Sequence, residues 1–299
     1  LIHGDYCSLW DRNYCAKGLA LYESLAKHSS EPFTLHVLAM CTQTEKILNE
    51  LALPNLHVMS LAAFELALNL KPIREGRSWA EYCWTVASSL MEYLMPWVGP
   101  EGITYLDSDL MFFSDPKAIF NELGERSLAI IPHRFPEPKR HMERNGVFNV
   151  GWVTGRNTEA GRRCITRWAA QCREWCFNRN EGGKFGDQSY LDSWPTDLPG
   201  EVAIIENVGA GLAPWNIANY RLSASGDITM VDDRALVFYH FHEFVDEKFL
   251  TGYELRSEDL ALIYCPYVTA WTEAKRTIQE VEQKFVDRKL EIEKQWETA

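Results

Sequence analysis

The chain has 299 residues, 46% of them hydrophobic and 24% charged, a balance that supplies a sizeable core in a globular protein. Its 30 Lys and Arg against 42 Asp and Glu leave a formal charge of −12, which argues against general attraction to nucleic acid or to anionic membranes. The 8 Cys are scattered without a CxxC pair, no apolar run has membrane-spanning length and no leader-like segment opens the chain, so reduced thiols and a cytoplasmic location are expected.

The opening "LIHGDY" reads as a strand end that starts abruptly, as if a few residues precede it. "DRNYCAKGLALYESLAKHS" carries helical periodicity through Leu19, Leu21, Tyr22 and Leu25, and "FTLHVLAM" is a strand. A helix around "TQTEKILNELAL", a short strand at "LHVMSL" and a long helix from Trp79 to Met95, stopped by Pro96, lead to "GITYLDSDLMFF", read as one buried strand. Such a βαβαβ progression packs as a parallel sheet with right-handed crossovers, and its ligands bind at the carboxyl ends of strands. Asp5 and the pair Asp107/Asp109 both fall at predicted strand ends and are expected to face one cleft.

"SLAIIPHRF" and "GVFNVGWVTGRN" are further strands, and the charged, proline-containing stretch 136–145 between them is expected to be a mobile loop serving as a lid. A helix over 158–178 sets Cys164, Cys172 and Cys176 on one face, where burial as small hydrophobes is expected rather than a metal site. Glycines in "EGGKFGDQSYLDSW" free the backbone before Asp187 and Gln188 open another helix. "VAIIE" and "ALVFYHFHEF" read as strands, the latter placing His240 and His242 on the same face. From Trp271 onward Ile278, Val281, Phe285, Ile292 and Trp296 form the stripe of a long amphipathic helix. The expected organisation is one globular domain over 1–265 and a helical extension over 266–299, packed on the domain or on a partner.

Asp107 and Asp109, two residues apart, are expected to project to one side of a strand, where their charges repel unless a cation sits between them or one takes a proton. Oxygen ligands suit Mg²⁺ or Mn²⁺, ions that bridge carboxylates to nucleotide phosphates. A turn cap beside a solvated carboxylate is the other reading of an isolated DxD.

"YLDSDLMFF" followed by "DP", "FNVGWVTGRN" about 40 residues later, "FGDQSYLD" and "FYHF", with the opening "HGDY" and the helix "YESLAKHS", together resemble the metal-dependent nucleotide-sugar glycosyltransferases of the GT-A fold. The likeness spans about residues 3–245 and is strongest to the family 8 group of glycogenin and bacterial lipopolysaccharide galactosyltransferases, and to related bacterial sugar transferases. It implies an α/β Rossmann-like fold and transfer of a sugar from a nucleotide-diphosphate donor, a UDP-sugar, to a hydroxyl of a carbohydrate, lipid-linked glycan or other acceptor. It implies Mn²⁺ or Mg²⁺ on Asp107, Asp109 and His240, with His242 as the alternative imidazole. Asp5 and Tyr6 would meet the nucleotide base at the first strand's end, and Asp107, Ser108 and Gly151 would line the donor. Asn149 would face donor sugar and acceptor, and Asp187 and Gln188 the reacting carbon.

The chain lacks the family's "KPW" lysine after the histidine, and "LAPWN" at 212–216 does not replace it. Arg134, Arg140, Lys184 and Lys248 are the candidate cations for the donor phosphates. The resemblance implies retention at the anomeric carbon; Asp187 as a base would give inversion. A DxD-type phosphatase and a sugar-binding module without turnover are the competing readings.

Overall fold

The structure, a computed structural model, describes residues 4–245 and 253–297. A seven-stranded sheet forms its centre, in the order β3-β2-β1-β4-β7-β6-β8. The strands are β1 (Gly4–Trp10), β2 (Phe33–Ala39), β3 (Leu56–Ser60), β4 (Ile103–Leu106), β6 (Leu128–Pro132), β7 (Phe148–Gly155) and β8 (Val202–Ile204). All run parallel except β7, which is antiparallel to both β4 and β6. The expected mostly parallel α/β sheet is therefore present.

Alternation along the strands divides the core in two. In β1, Tyr6 and Trp10 enter one cluster while Cys7 and Leu9 enter the other. Ala129 and Ile131 of β6 likewise oppose Leu128 and Ile130. Helices α1 (Cys15–His28), α2 (Thr42–Leu51) and α6 (Lys117–Leu123) cover the first face. Helices α3 (Leu61–Leu68), α5 (Trp79–Leu94) and α7 (Glu159–Glu174) cover the second, with the short α4 (Lys71–Glu75) leading into α5. Ser78 caps α5 through a capping box with Glu81, which is why that helix starts where the sequence places it. Gly18 lets α1 cross β1 closely, since a Cβ there would lie 2.3 Å from the Trp10 ring.

Several elements differ from expectation. "GITYLDSDLMFF" is two strands, β4 and β5 (Leu110–Phe112), broken at Asp107–Asp109 by a turn in which Leu110 N donates to Asp107 O. β5 leaves the main sheet and pairs antiparallel with β12 (Phe238–His240), aligning Leu110 with His240. Because β12 is only three residues long, His242 lies beyond it and the shared strand face with His240 does not exist. The segment Glu137–Asn145 is a 3₁₀ helix rather than an irregular loop. Cys176 follows the end of α7, although all three cysteines are buried as expected. A small meander of β9 (Leu222–Ser225), β10 (Ile228–Val231) and β11 (Arg234–Ala235) went unread in the sequence.

After the short α8 (Trp194–Asp197) and α9 (Ser257–Asp259), α10 (Cys265–Glu297) closes the fold. Its first turns are part of the core, where Tyr267 stacks on Phe241 with ring centroids 3.5 Å apart and Trp271 meets Phe244 edge-on. Farther along, Glu282 pairs with Arg12 and Arg288 with Glu50, tying the helix to the turn before α1 and to α2. Ile278, Val281 and Phe285 of the expected stripe pack inward, while Ile292 and Trp296 are exposed. Among the described residues no helix is long and apolar enough to cross a membrane.

Candidate active site

The break between β4 and β5 puts Asp107 and Asp109 in a turn beyond the carboxyl end of β4, not on one side of a strand. The β5–β12 pairing then delivers His240 from about 130 residues downstream. His240 Nε2 lies 3.1 Å from Asp109 Oδ1 and 3.7 Å from Asp107 Oδ2. One ligand atom from each residue falls within 4.8 Å of the others, the one such cluster of three among the described residues. Asp109 and His240 are buried and Asp107 is partly open to solvent. His242 is half-exposed beside Glu243 and stands outside the cluster.

Backbone bonds fix the frame. Phe241 N donates to Asp109 O at 2.8 Å, Asp107 N donates to Gly151 O at 3.0 Å, and His240 N donates to Leu212 O at 2.9 Å. Tyr105 Oη donates to Asp107 Oδ1 at 2.9 Å. Gly151 makes room for this arrangement: a Cβ there would lie 2.8 Å from His240 Nδ1 and 2.6 Å from Asn149 Oδ1. Burial and the neighbouring Asp109 raise the Asp107 carboxyl above its ordinary value, against the pull of His240. Burial also opposes charge on Asp109, but His240 and Lys17 outweigh it and hold that carboxyl below the usual range. His240 itself is raised, burial being overcome by the two carboxylates. Two carboxylate oxygens and an imidazole nitrogen at this spacing fit Mn²⁺, or Mg²⁺ with less imidazole affinity.

Asn149 and Gly151 of β7 border the cluster. Asn149 Oδ1 accepts from Gly151 N at 2.8 Å, and its Nδ2 donates to His133 Nε2 at 3.3 Å while His133 Nδ1 donates to Val147 O. Burial pushes His133 down to about 4. The unfolded chain takes up this proton near 6.5 and the folded chain near 4, so stability is intact above pH 6.5 and falls as pH drops between those values, by about 3 kcal/mol at 1.36 kcal/mol per unit. Urea midpoints of the cation-free protein should decline over that window, and His133→Gln should flatten the decline.

Ser108 is buried within the turn. Asp187 is buried with its carboxyl pushed up to about 8, first by burial and then by Asp107. It opens a 3₁₀ helix (Gln188–Ser193) without a side-chain capping bond, so a plain N-cap does not account for it. Gln188 Nε2 donates to Asn145 O at 2.8 Å, joining this corner to the 137–145 segment.

Asp5 and Tyr6 are not where the sequence reading put them. β1 continues to Trp10, and Asp5 is level with Ile103 at the start of β4, so both residues sit at the amino end of the parallel strands, opposite the turn. Asp5 pairs with His36 at 3.1 Å, Tyr6 is buried among Phe33, Phe120 and Trp152, and the cleft that they line does not include the Asp107/Asp109 pair. The carboxyl end of β1 instead offers Asp11, whose Oδ2 accepts from Trp79 Nε1 at 3.0 Å, and the half-exposed ring of Tyr14. Burial first, and then Asp109 and Asp107, raise the Tyr14 hydroxyl. The apolar run "YCSLW" was the signal that β1 ends later.

The "LAPWN" segment also has a place. Trp215 Nε1 and Asn216 Nδ2 both donate to His133 O at 2.9 Å, and the Trp215 ring lies edge-on to His240 at 5.2 Å. Of the candidate phosphate cations, Arg134 gives its guanidinium to the carbonyls of Ala210, Ile205 and Asn207, and so is structural. Arg140 pairs with Glu137 on the surface, Lys184 lies 5.9 Å from the Trp175 ring, and Lys248 falls outside the described residues.

No protein-family model matches the chain. Two uncharacterized proteins of Bacillus subtilis (strain 168) do: YfnD is 31% identical over 292 residues, 94% of this chain and 92% of its own, and YfnF is 32% identical over 246 residues, 79% and 80% respectively. The galactosyltransferase LgtC, solved in complex with donor and acceptor sugar analogs, superposes with a TM-score of 0.56 at 15% identity over 90% of this chain and 95% of LgtC. The apo-form glycosyltransferase GlyE of Streptococcus pneumoniae TIGR4 superposes with a TM-score of 0.53 at 14% identity over 95% of this chain and 64% of GlyE. These likenesses identify the fold as GT-A.

Proposed function

The chain belongs to the family of the Bacillus subtilis proteins YfnD and YfnF, and from that membership and its GT-A fold we propose that it is a metal-dependent glycosyltransferase acting on a nucleotide-diphosphate sugar, with UDP as the nucleotide. One observation carries the proposal: Asp107, Asp109 and His240 converge at the carboxyl end of the sheet, where open α/β folds bind ligands. LgtC, with the same fold, binds donor and acceptor sugar analogs, and the same two substrate classes are proposed here.

Asp107, Asp109 and His240 would hold Mn²⁺ or Mg²⁺. Such an ion, when bound, screens the diphosphate and stabilises the charge that grows on it as the glycosidic bond breaks. Asn149, fixed by His133 and Gly151 N, would orient the sugar beside the acceptor. The nucleoside is assigned to Asp11 and Tyr14, since the carboxyl end of β1 lies there rather than at Asp5 and Tyr6. The segment 137–145, joined through Asn145 to Gln188, would cover the donor and exclude water, the competing acceptor. A carboxyl pushed up to about 8 keeps its proton at neutral pH, so Asp187 makes a poor base. This favours retention over inversion, with Gln188 beside the reacting carbon. Eight free thiols suit a reducing compartment, and the cytoplasm is proposed.

Thermal-shift screening of nucleotide sugars with and without Mn²⁺ tests the reading. A cognate donor at about 100 times its Kd adds about 2.7 kcal/mol, roughly a 4–8 °C rise, and only with the cation present. Donor turnover should follow the same cation requirement. Carbohydrate binding with no nucleotide-sugar shift and no donor cleavage would replace the transferase with a binding module, and phosphate release from simple phosphoesters would replace it with a phosphatase.

A further inference from the structure

Lys17 is the cation that the sequence reading passed over. It lies in the first turn of α1, directly after the carboxyl end of β1, and is only 8% exposed. Its Nζ stands 4.4 Å from the Tyr14 ring centroid and 5.9 Å from that of Phe244. Among the described residues it makes no ion pair and no hydrogen bond. Ser24, seven residues on and so on the same helix face, accepts a hydrogen bond from Phe112 N of β5, the strand that follows the Asp107–Asp109 turn. The face that carries Lys17 is thus the one turned toward that strand. Burial lowers its pKa, opposed by Asp109 and Asp11, neither of which forms an ion pair with it.

An ammonium largely withdrawn from water without a paired carboxylate among the described residues is costly, and an anionic ligand reaching its nitrogen would offset that cost. The charge balance of the site says what that ligand is. A divalent ion offsets Asp107 and Asp109, and a nucleotide-sugar diphosphate, a dianion, then needs a further positive partner from the described residues. The family's KPW lysine is missing from the motif, Lys248 lies outside the described residues, Arg134 is occupied by three carbonyls, Arg140 pairs with Glu137, and Lys184 lies beside Trp175. Building on the transferase reading, we propose that Lys17 binds the diphosphate of the donor and of the nucleoside diphosphate product, supplying the positive charge that the family's absent lysine would have provided.

Calorimetric titration of UDP, GDP and CDP, each with Mn²⁺, against the wild type and Lys17→Met decides it. For whichever diphosphate the wild type binds, Lys17→Met should weaken binding by about 10- to 100-fold, the range for a lost charged hydrogen bond. The corresponding nucleoside monophosphate should lose less, and Mn²⁺ titrated alone should bind no more weakly. Melting of the cation-free variant should occur no lower than in the wild type, because an unpaired buried charge has been exchanged for an apolar side chain. Unchanged diphosphate affinity overturns the assignment while leaving the transferase reading intact. Equal losses for diphosphate and monophosphate, or a melting point several degrees lower, overturn it in favour of a packing role. Failure of the wild type to bind any diphosphate with Mn²⁺ overturns the transferase reading and this inference together.

Discussion

Asp109→Ala is expected to abolish the Mn²⁺-dependent thermal shift and to lower donor turnover by about 1000-fold or more. The cation is proposed to supply several kcal/mol of charge stabilisation in the transition state, and each 1.36 kcal/mol is a factor of ten. Asp109 is the buried carboxylate of the pair, with its oxygen 3.1 Å from His240 Nε2, so its removal takes away the ligand that both orients the imidazole and carries the more firmly ionised charge. The backbone carbonyl of residue 109 keeps its bond from Phe241 N in the variant, so β5 and β12 retain a link across the turn. Folding should therefore survive, with circular dichroism unchanged and the cation response gone. A full Mn²⁺ shift in this variant would move the metal elsewhere and remove the basis of the transferase reading.

How far the sequence could be read depended on whether a local pattern carried the information. The strand run of β2, the helical stretch of α5 stopped by Pro96 and the amphipathic stripe of α10 are local, and the parallel sheet with its long closing helix followed from them. The two-strand break at Asp107–Asp109 was invisible because "ITYL" and "LMF" are both apolar and read as one continuous strand. That break decides the site. With it, β5 is free to pair with β12 and carry Leu110 opposite His240; a continuous strand would have had no reason to leave the sheet.

The choice between His240 and His242 was equally out of reach, because period two treats the residues alike and only the three-residue length of β12 separates them. Asp5 and Tyr6 were misplaced for a related reason. The short "HGDY" match outweighed the apolar run after it, and a parallel strand read four residues short presents the wrong end to the cleft. Lys17 had no signal at all, since a lysine on a helix is ordinarily a solvated charge and only the packing of Tyr14 and Phe244 around it says otherwise.

Trp152→Ala should cost about 3–5 kcal/mol of stability, the usual toll of truncating a buried aromatic, and lower the melting point by roughly 10 °C. Trp152 is 1% exposed in β7 and sits where the layers meet. Its ring stacks on Phe238 with centroids 5.6 Å apart and planes 12° apart, and it meets Tyr6, Phe112 and Phe120. Its Nε1 donates to Thr154 Oγ1, which in turn is bonded to Thr104 Oγ1 of β4. The indole thereby couples β7 and β4 to β5 and β12, the two short strands that bring His240 to the carboxylates. A cavity at this point removes the Phe238 stack two residues before His240, so the imidazole should lose its fixed approach. The variant is expected to bind Mn²⁺ about 10- to 100-fold more weakly, the range seen when groups supporting metal ligands are lost. Trp152→Phe, which keeps a ring in place, should recover most of the melting point and more of the cation response than of the lost volume. If Trp152→Ala unfolded at the expected lower temperature yet bound Mn²⁺ as tightly as the wild type, the stack would be a feature of the core alone and His240 would be held by its backbone bond to Leu212.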